Sequence, residues 1–147
     1  MGLEAINVKL DNGAYMPHRA HNLDAGYDIR TPLDFVIKPM SELSGAGKAV
    51  IDTGVHIEIP EGYVGLIKSK SGLNLNKDIT CEGVVDAGYV GSIRAIMYNH
   101  GKHLVKFKAG DKITQLVIVP IATPRLNLVT ELTDSERGEG GFGSTGR

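Results

Sequence analysis

The 147-residue chain predicts an all-β fold of the sandwich or jelly-roll type. Three observations carry this: segments rich in β-branched residues recur at short intervals, turn-forming residues separate most of them, and two segments alternate like half-buried strands. Taken in order, Ile6–Lys9 runs into Asp11-Asn12-Gly13, and Leu33–Ile37 stops before Pro39. Thr53-Gly54 divides Ala49–Asp52 from Val55–Ile59, and Pro60-Glu61-Gly62 turns the chain into Tyr63–Lys68. Ser92–Asn99 ends near Gly101, Val105–Lys108 ends before Gly110-Asp111, Lys112–Ile121 follows, and Leu126–Glu131 comes after Pro124. Val55–Ile59 and Ile93–Tyr98 alternate sides, whereas Gln115–Val119 reads as more deeply buried. The one expected helix is a turn or two from Ser71 to Lys77, which lacks β-branched residues. Gly45-Ala46-Gly47 marks a loop, and no internal repeat is evident.

Length fits a single domain over residues 1–147. A formal net charge of −1 argues against direct nucleic-acid binding through a broad basic surface, while leaving room for a local phosphate site. There is no bilayer-length apolar run and no signal-peptide core, so the expectation is a cytoplasmic protein without a membrane role. Cys81 is the only cysteine, which rules out an internal disulfide and suits a small buried apolar residue. The five histidines include the pairs His18/His21 and His100/His103 without a completing Cys or acidic cluster, and they read as surface or turn residues.

Five polar, glycine-containing stretches interrupt the β pattern: Ala25–Asp28, Ser69–Leu73, Gly83–Gly91, Gly110–Gln115 and Arg137–Arg147. The last matches the dinucleotide pattern at Gly138, Gly140 and Gly143 and the glycine spacing of a P-loop, but both motifs need a strand before and a helix after, and only three or four residues remain here. It reads as a flexible arm over residues 137–147 whose N–H groups, hydroxyls and guanidinium groups can wrap a polyphosphate while Phe142 stacks on a base. Asp86 lies between apolar segments among small residues, either as a turn aspartate or as a carboxylate that orients a water attacking phosphorus. Tyr89 is either a core aromatic or a ring beneath a sugar, and Lys68 and Lys70 fit either a solvated strand face or a phosphate site.

In this order and spacing the five stretches resemble the motifs of the trimeric dUTPase family, deoxyuridine triphosphate nucleotidohydrolases, from about Ala25 to Arg147. The resemblance implies a jelly-roll homotrimer that hydrolyses dUTP to dUMP and pyrophosphate with Mg²⁺, limiting uracil in DNA and supplying dUMP for thymidylate synthesis. It puts the catalytic aspartate on Asp86 and a deoxyribose-packing ring on Tyr89. Uracil would be read by a hairpin around Thr80, Gly83, Val84 and Val85 with the strand near Arg94. Lys70, Ser71, Gly72 and Gln115 would contact the α- and β-phosphates. Arg137 would reach the γ-phosphate region, Phe142 would cover the base, and Gly143, Ser144 and Thr145 would close over the phosphates from a third chain. Asp28 would serve Mg²⁺ through water, or would bond loop N–H groups, and Asp111 would be structural. Ser69-Lys70-Ser71-Gly72 departs from the usual Pro-Arg-Ser-Gly by offering a point charge in place of a guanidinium fork.

Two rivals remain in view. A dCTP deaminase of the same fold would need a glutamate at the base, for which Glu82 is the one candidate beside the third stretch. A nucleotide-gated binding protein would use the arm to signal to a regulatory protein partner, with the Ser41–Lys48 loop as either a contact or a solvated loop.

Overall fold

In a computed structural model the protein is described at residues 3–41, 43, 45, 47–143 and 146. Among these, the strands are β1 (Val8–Leu10), β2 (Gly26–Arg30), β3 (Phe35–Ile37), β4 (Gly47–Asp52), β5 (Val55–Ile57) and β6 (Tyr63–Lys68). Helix α1 (Ser71–Lys77) follows, then β7 (Ile79–Cys81), β8 (Gly83–Val85), β9 (Arg94–Asn99), β10 (Val105–Phe107) and β11 (Lys112–Pro120). Every strand pair is antiparallel. A four-stranded sheet runs β2-β11-β6-β8, a three-stranded sheet runs β4-β9-β7, and β1-β5 and β10-β3 form two ribbons. Ile29, Ile67, Val85 and Leu116 from the first sheet meet Ile51, Ile79, Cys81, Ala95 and Met97 from the second in one core cluster. The result is the all-β, jelly-roll-like sandwich that the alternating segments predict.

Alternation is clearest in β9, where Ala95, Met97 and Asn99 are fully buried while Arg94 and Ile96 face outward. Of Gln115–Val119 only Leu116 is fully buried, because the strand is deepest at Ile113–Leu116, between β2 and β6, and its later residues are half-buried. The helix ends where Asp78 takes a left-handed φ of 56° and its N–H returns to the Leu73 carbonyl.

Three strands escape the sequence pattern, and one expected strand is not formed. β2 opens on a glycine and carries a charged residue inward, and β7 and β8 are three-residue pieces on either side of Glu82. Among the described residues Leu126–Glu131 pairs with no strand, and Leu126 and Leu128 are at least 91% exposed. The Ser41–Lys48 loop is described only in part, with Glu42, Ser44 and Ala46 outside the described residues.

Asn99 is the polar hub of the core edge. Its amide nitrogen donates to the carbonyls of Ile37 (3.3 Å) and His103 (2.8 Å), and its oxygen accepts from the Gly101 N–H (2.9 Å). Asn99→Ala leaves these groups without partners away from water, and the expected cost is about 2–3 kcal/mol. A lower urea midpoint at unchanged slope would record it.

Candidate active site

Adjacent strands bring the first, second and fourth stretches together. Asp28 on β2 sits opposite Gln115 on β11, which in turn sits opposite Lys68 on β6. Gly26 makes this possible: a Cβ there would lie 2.1 Å from the Gln115 side-chain oxygen. The Gln115 amide donates to the Ser69 carbonyl at 2.9 Å, fixing the turn that leads into Lys70 and α1. Lys70 is the N-cap, and Ser71 and Gly72 begin the helix. A Cβ on Gly72 would meet nothing within 4 Å, so the chain itself does not require glycine there.

The Asp28 side chain is almost fully buried between two ammonium groups. One oxygen pairs with Lys70, and the other lies 2.8 Å from Lys112 Nζ. Burial pushes the Asp28 carboxyl up, but hydrogen bonds and charge from Lys112 and Lys70 outweigh it and hold the carboxyl below its ordinary value. Lys112 is a site residue that the sequence reading missed. Its signal was its place three residues before Gln115 on a strand expected to pass the site. The alternative in which Asp28 bonds loop N–H groups is not what this chain does with its side chain.

The third stretch is divided. β7 pairs with β9, with Thr80 opposite Tyr98, so the expected hairpin forms at its base. Beyond Cys81 it opens, because Glu82 carries the chain across to β8, which pairs with β6. β8 is the edge strand of its sheet, and its outer side offers backbone groups that no strand in the sheet takes up. Thr80 lies at the closed end, its hydroxyl 2.7 Å from His100 Nε2, while continuing the β7–β9 register puts Arg94 across from Val84. His100 is thereby more than a turn residue.

Asp86 follows β8 on an exposed loop and makes no side-chain hydrogen bond or ion pair with another described residue. Its carbonyl accepts from Tyr89 N–H at 3.2 Å, a turn that Gly88 closes with a φ of 87°. Tyr89 is 47% exposed and donates its hydroxyl to the Ser92 carbonyl, so it is not a core aromatic. Its ring lies over Gly91, where a Cβ would fall 2.5 Å from the phenolic oxygen.

Within one chain these groups remain apart. Val85 pairs with Gly65 on β6, whereas Lys70 follows the opposite end of that strand. At a rise of about 3.3 Å per residue, five residues put Asp86 and the Lys70–Gln115 cluster about 16 Å apart. The arm stands off altogether: Phe142 is fully exposed with a φ of 48°, and the Arg137 Nε–H is turned back onto the Gly140 carbonyl at 2.7 Å. Gly143 is exposed with a φ of 93°, while Ser144 and Thr145 lie outside the described residues.

Glu82 has other work. One oxygen accepts from Lys68 Nζ (2.6 Å), the other from the Ser69 hydroxyl (2.8 Å) and N–H (3.2 Å). Burial opposes ionisation, and the Lys68 and Ser69 hydrogen bonds reverse that, so its carboxyl is held below its ordinary value. Cys81 is buried, its thiol pushed up by burial, as expected of an apolar filler. The Asp111 carboxylate accepts from the Lys108 N–H at 2.8 Å and is structural.

These features define an antiparallel β-sandwich of the jelly-roll class with its polar clusters at strand ends and loops. Residues 12–146 match the dUTPase family profile. The deoxyuridine 5'-triphosphate nucleotidohydrolase of Clostridium kluyveri is 40% identical over 147 residues, covering 98% of this chain and 99% of that protein. The dUTPase of Staphylococcus bacteriophage 80alpha, solved with dUPNHPP, is 38% identical with a TM-score of 0.89, covering 99% of this chain and all of that one. A variant of the dUTPase from phage phi11 of S. aureus, solved with a structural Mg(II) ion, is 34% identical with a TM-score of 0.78, covering 88% of this chain and 99% of that one. The chain belongs to the dUTPase family.

The paired lysines set a pH dependence. Because the Asp28 carboxyl is depressed on folding, the stability it contributes is present above the ordinary carboxylate range and is lost as pH falls through the folded value. Denaturation midpoints between about pH 5 and pH 2 should therefore fall more steeply in the wild type than in Asp28→Asn, in which this contribution is absent at every pH.

Proposed function

We propose that the protein is a homotrimeric dUTP diphosphatase acting in the cytoplasm, producing dUMP and pyrophosphate and so limiting uracil in DNA while supplying dUMP for dTMP synthesis. Family membership supports the substrate. The observation that carries the reading is the solvent-facing Asp86 carboxylate, without a side-chain partner among the described residues, directly after the free edge strand β8. Such an edge suits a flat base recognised by N–H and C=O groups. Tyr89 supplies a flat surface for deoxyribose, and packing there leaves a 2′-hydroxyl without room or partner.

In the reaction, Asp86 orients a water and takes its proton as the oxygen bonds to the α-phosphorus. The bond from that phosphorus to the bridging oxygen breaks, and pyrophosphate leaves with the electron pair. Lys70, Ser71, Gly72 and Gln115 hold the phosphates, Lys70 exchanging Asp28 for phosphate oxygen while Lys112 keeps the carboxylate paired. Mg²⁺ fits as an ion that enters with the triphosphate. The described residues hold no cluster of three acidic, His or Cys side chains, and the Asp28 oxygens already face lysines, so Asp28 would reach the metal through water. When bound, with Asp28 holding it through water, Mg²⁺ would supply positive charge against the charge on the phosphates.

The separation of about 16 Å within one chain favours a site shared between chains, which would bring the two clusters to one substrate from different copies. The arm supports the same reading. Leu126, Leu128 and Leu132 are at least 87% exposed, apolar surface of a kind that a partner chain would cover. Arg137, Phe142, Gly143, Ser144 and Thr145 would then close over nucleotide bound elsewhere in the trimer. Deamination is disfavoured, because Glu82 is committed to Lys68 and Ser69.

Asp86→Asn should lower kcat for dUTP by about 10²–10⁴-fold, read as pyrophosphate release, with dCTP, dTTP and UTP as poor substrates. Wild-type turnover in that variant, or ammonia from dCTP, would sink the assignment. Retained nucleotide-dependent binding of a protein partner by Asp86→Asn would separate a regulatory role from hydrolysis. Asp86→Asn and Gln115→Leu chains, each inactive alone, should on mixing into trimers recover about a quarter of wild-type activity, because some sites then draw both intact halves from different copies.

A further inference from the structure

Among the described residues, the loop carrying Asp86 and Tyr89 is tethered to the body of the chain at one point before Ser92, whose hydroxyl ends the loop on Asp52 and Gly54. Within residues 86–91 the other hydrogen bonds are local, from Tyr89 N–H to Asp86 and from the Tyr89 hydroxyl to Ser92. Among the described residues, the one bond reaching this stretch from the body of the chain comes from His56 on β5, whose Nδ1 lies 2.8 Å from the Val90 carbonyl oxygen. The other ring nitrogen, Nε2, lies 3.0 Å from Asp11 Oδ2, just past the end of β1. Val90 is otherwise 59% exposed, beside a cavity of about 300 Å³ lined by Asn7, Lys9, Glu58 and β5, so packing does not replace the bond.

A carbonyl and a carboxylate both accept and neither donates, so satisfying both requires a proton on each ring nitrogen. We propose that His56 is a positioning residue, an imidazolium that pins the Asp86–Tyr89 loop to the β1 end through Val90 and Asp11. This rests on the reading of Asp86 and Tyr89 as substrate-facing groups. The charges around the ring favour it: Asp11, Glu58 next to β5 and Asp52 on β4 are acidic, against Lys9 on the paired strand. In keeping with the geometry, the Val90 carbonyl and then Asp11 raise the His56 pKa against the opposing effects of burial and Lys9. A group raised on folding contributes fully below its unfolded value and loses that contribution as pH rises through the folded one. A neutral ring would turn a lone pair toward one of its two acceptors and slacken the tether.

The test is a ring-nitrogen NMR titration of the wild type and Asp11→Asn, with backbone amide exchange at Tyr89, whose N–H donates to the Asp86 carbonyl, and pH profiles of dUTP hydrolysis, the last two also in His56→Gln. Both nitrogens should be protonated at neutral pH, and Asp11→Asn should lower the His56 pKa. His56→Gln should speed exchange at this amide about tenfold. The alkaline fall in kcat/KM should track the His56 titration, shift down in Asp11→Asn, and vanish in His56→Gln. A singly protonated ring at neutral pH, unchanged loop exchange in His56→Gln, or identical pH profiles in all three proteins would overturn the proposal. An inactive wild type whose ring and loop behave as expected would support the tether and overturn the dUTPase reading instead.

Discussion

Strand β6 is hydrogen-bonded on both flanks, to β11 with Gln115 opposite Lys68 and to β8 with Val85 opposite Gly65. Those registers fix where the polar clusters fall. Slipping either pairing by one residue would turn the inward set of that strand toward solvent, so the buried faces of Ile67, Leu116 and Val85 lock the pairing. Gly65 is part of the lock. A Cβ there would lie 2.9 Å from a Leu116 methyl and 3.2 Å from Val85, so side chains of both neighbouring strands pack over this residue. The hydrophobic core thus sets the distance between the carboxylate and the cations.

Electrostatics within the chain follows one plan: carboxylates near the phosphate-type cluster are neutralised before any ligand arrives. Asp28 is held by Lys70 and Lys112, and Glu82 by Lys68 and Ser69. Asp86, away from that cluster, is left in solvent without a side-chain partner among the described residues. An acceptor that must take a proton is best kept free, whereas acids beside a polyanion would repel it unless paired. Because Lys70 is a flexible ammonium, it can move from carboxylate to phosphate at little geometric cost, which a planar guanidinium in a fixed fork would resist.

Much of the strand pattern was legible because alternation writes itself into sequence, as in Ala95, Met97 and Asn99 against Arg94 and Ile96. The five polar stretches were legible for a different reason: glycine next to charge has few uses in a β-rich chain. Partnerships were not legible. Nothing local announces that Lys112 meets Asp28, that Glu82 is consumed by Ser69, or that His56 reaches Val90, since each depends on residues 34 or more apart, or on strands that meet only after folding, except for the 13-residue span from Ser69 to Glu82. The Leu126–Glu131 segment failed for a related reason: its β-type residues predict a strand, but a strand needs a partner in space, and among the described residues the segment meets none.

The order of strands has a consequence for synthesis. β11 is the last strand in the sequence yet lies inside its sheet, between β2 and β6. Until residues 112–120 have left the ribosome, β2 has no sheet neighbour and β6 is paired on one side only. The nascent chain must therefore wait, with Ile29 and Ile67 uncovered, until β11 has emerged, and its closure by distant pairings should be slow and prone to interception by chaperones.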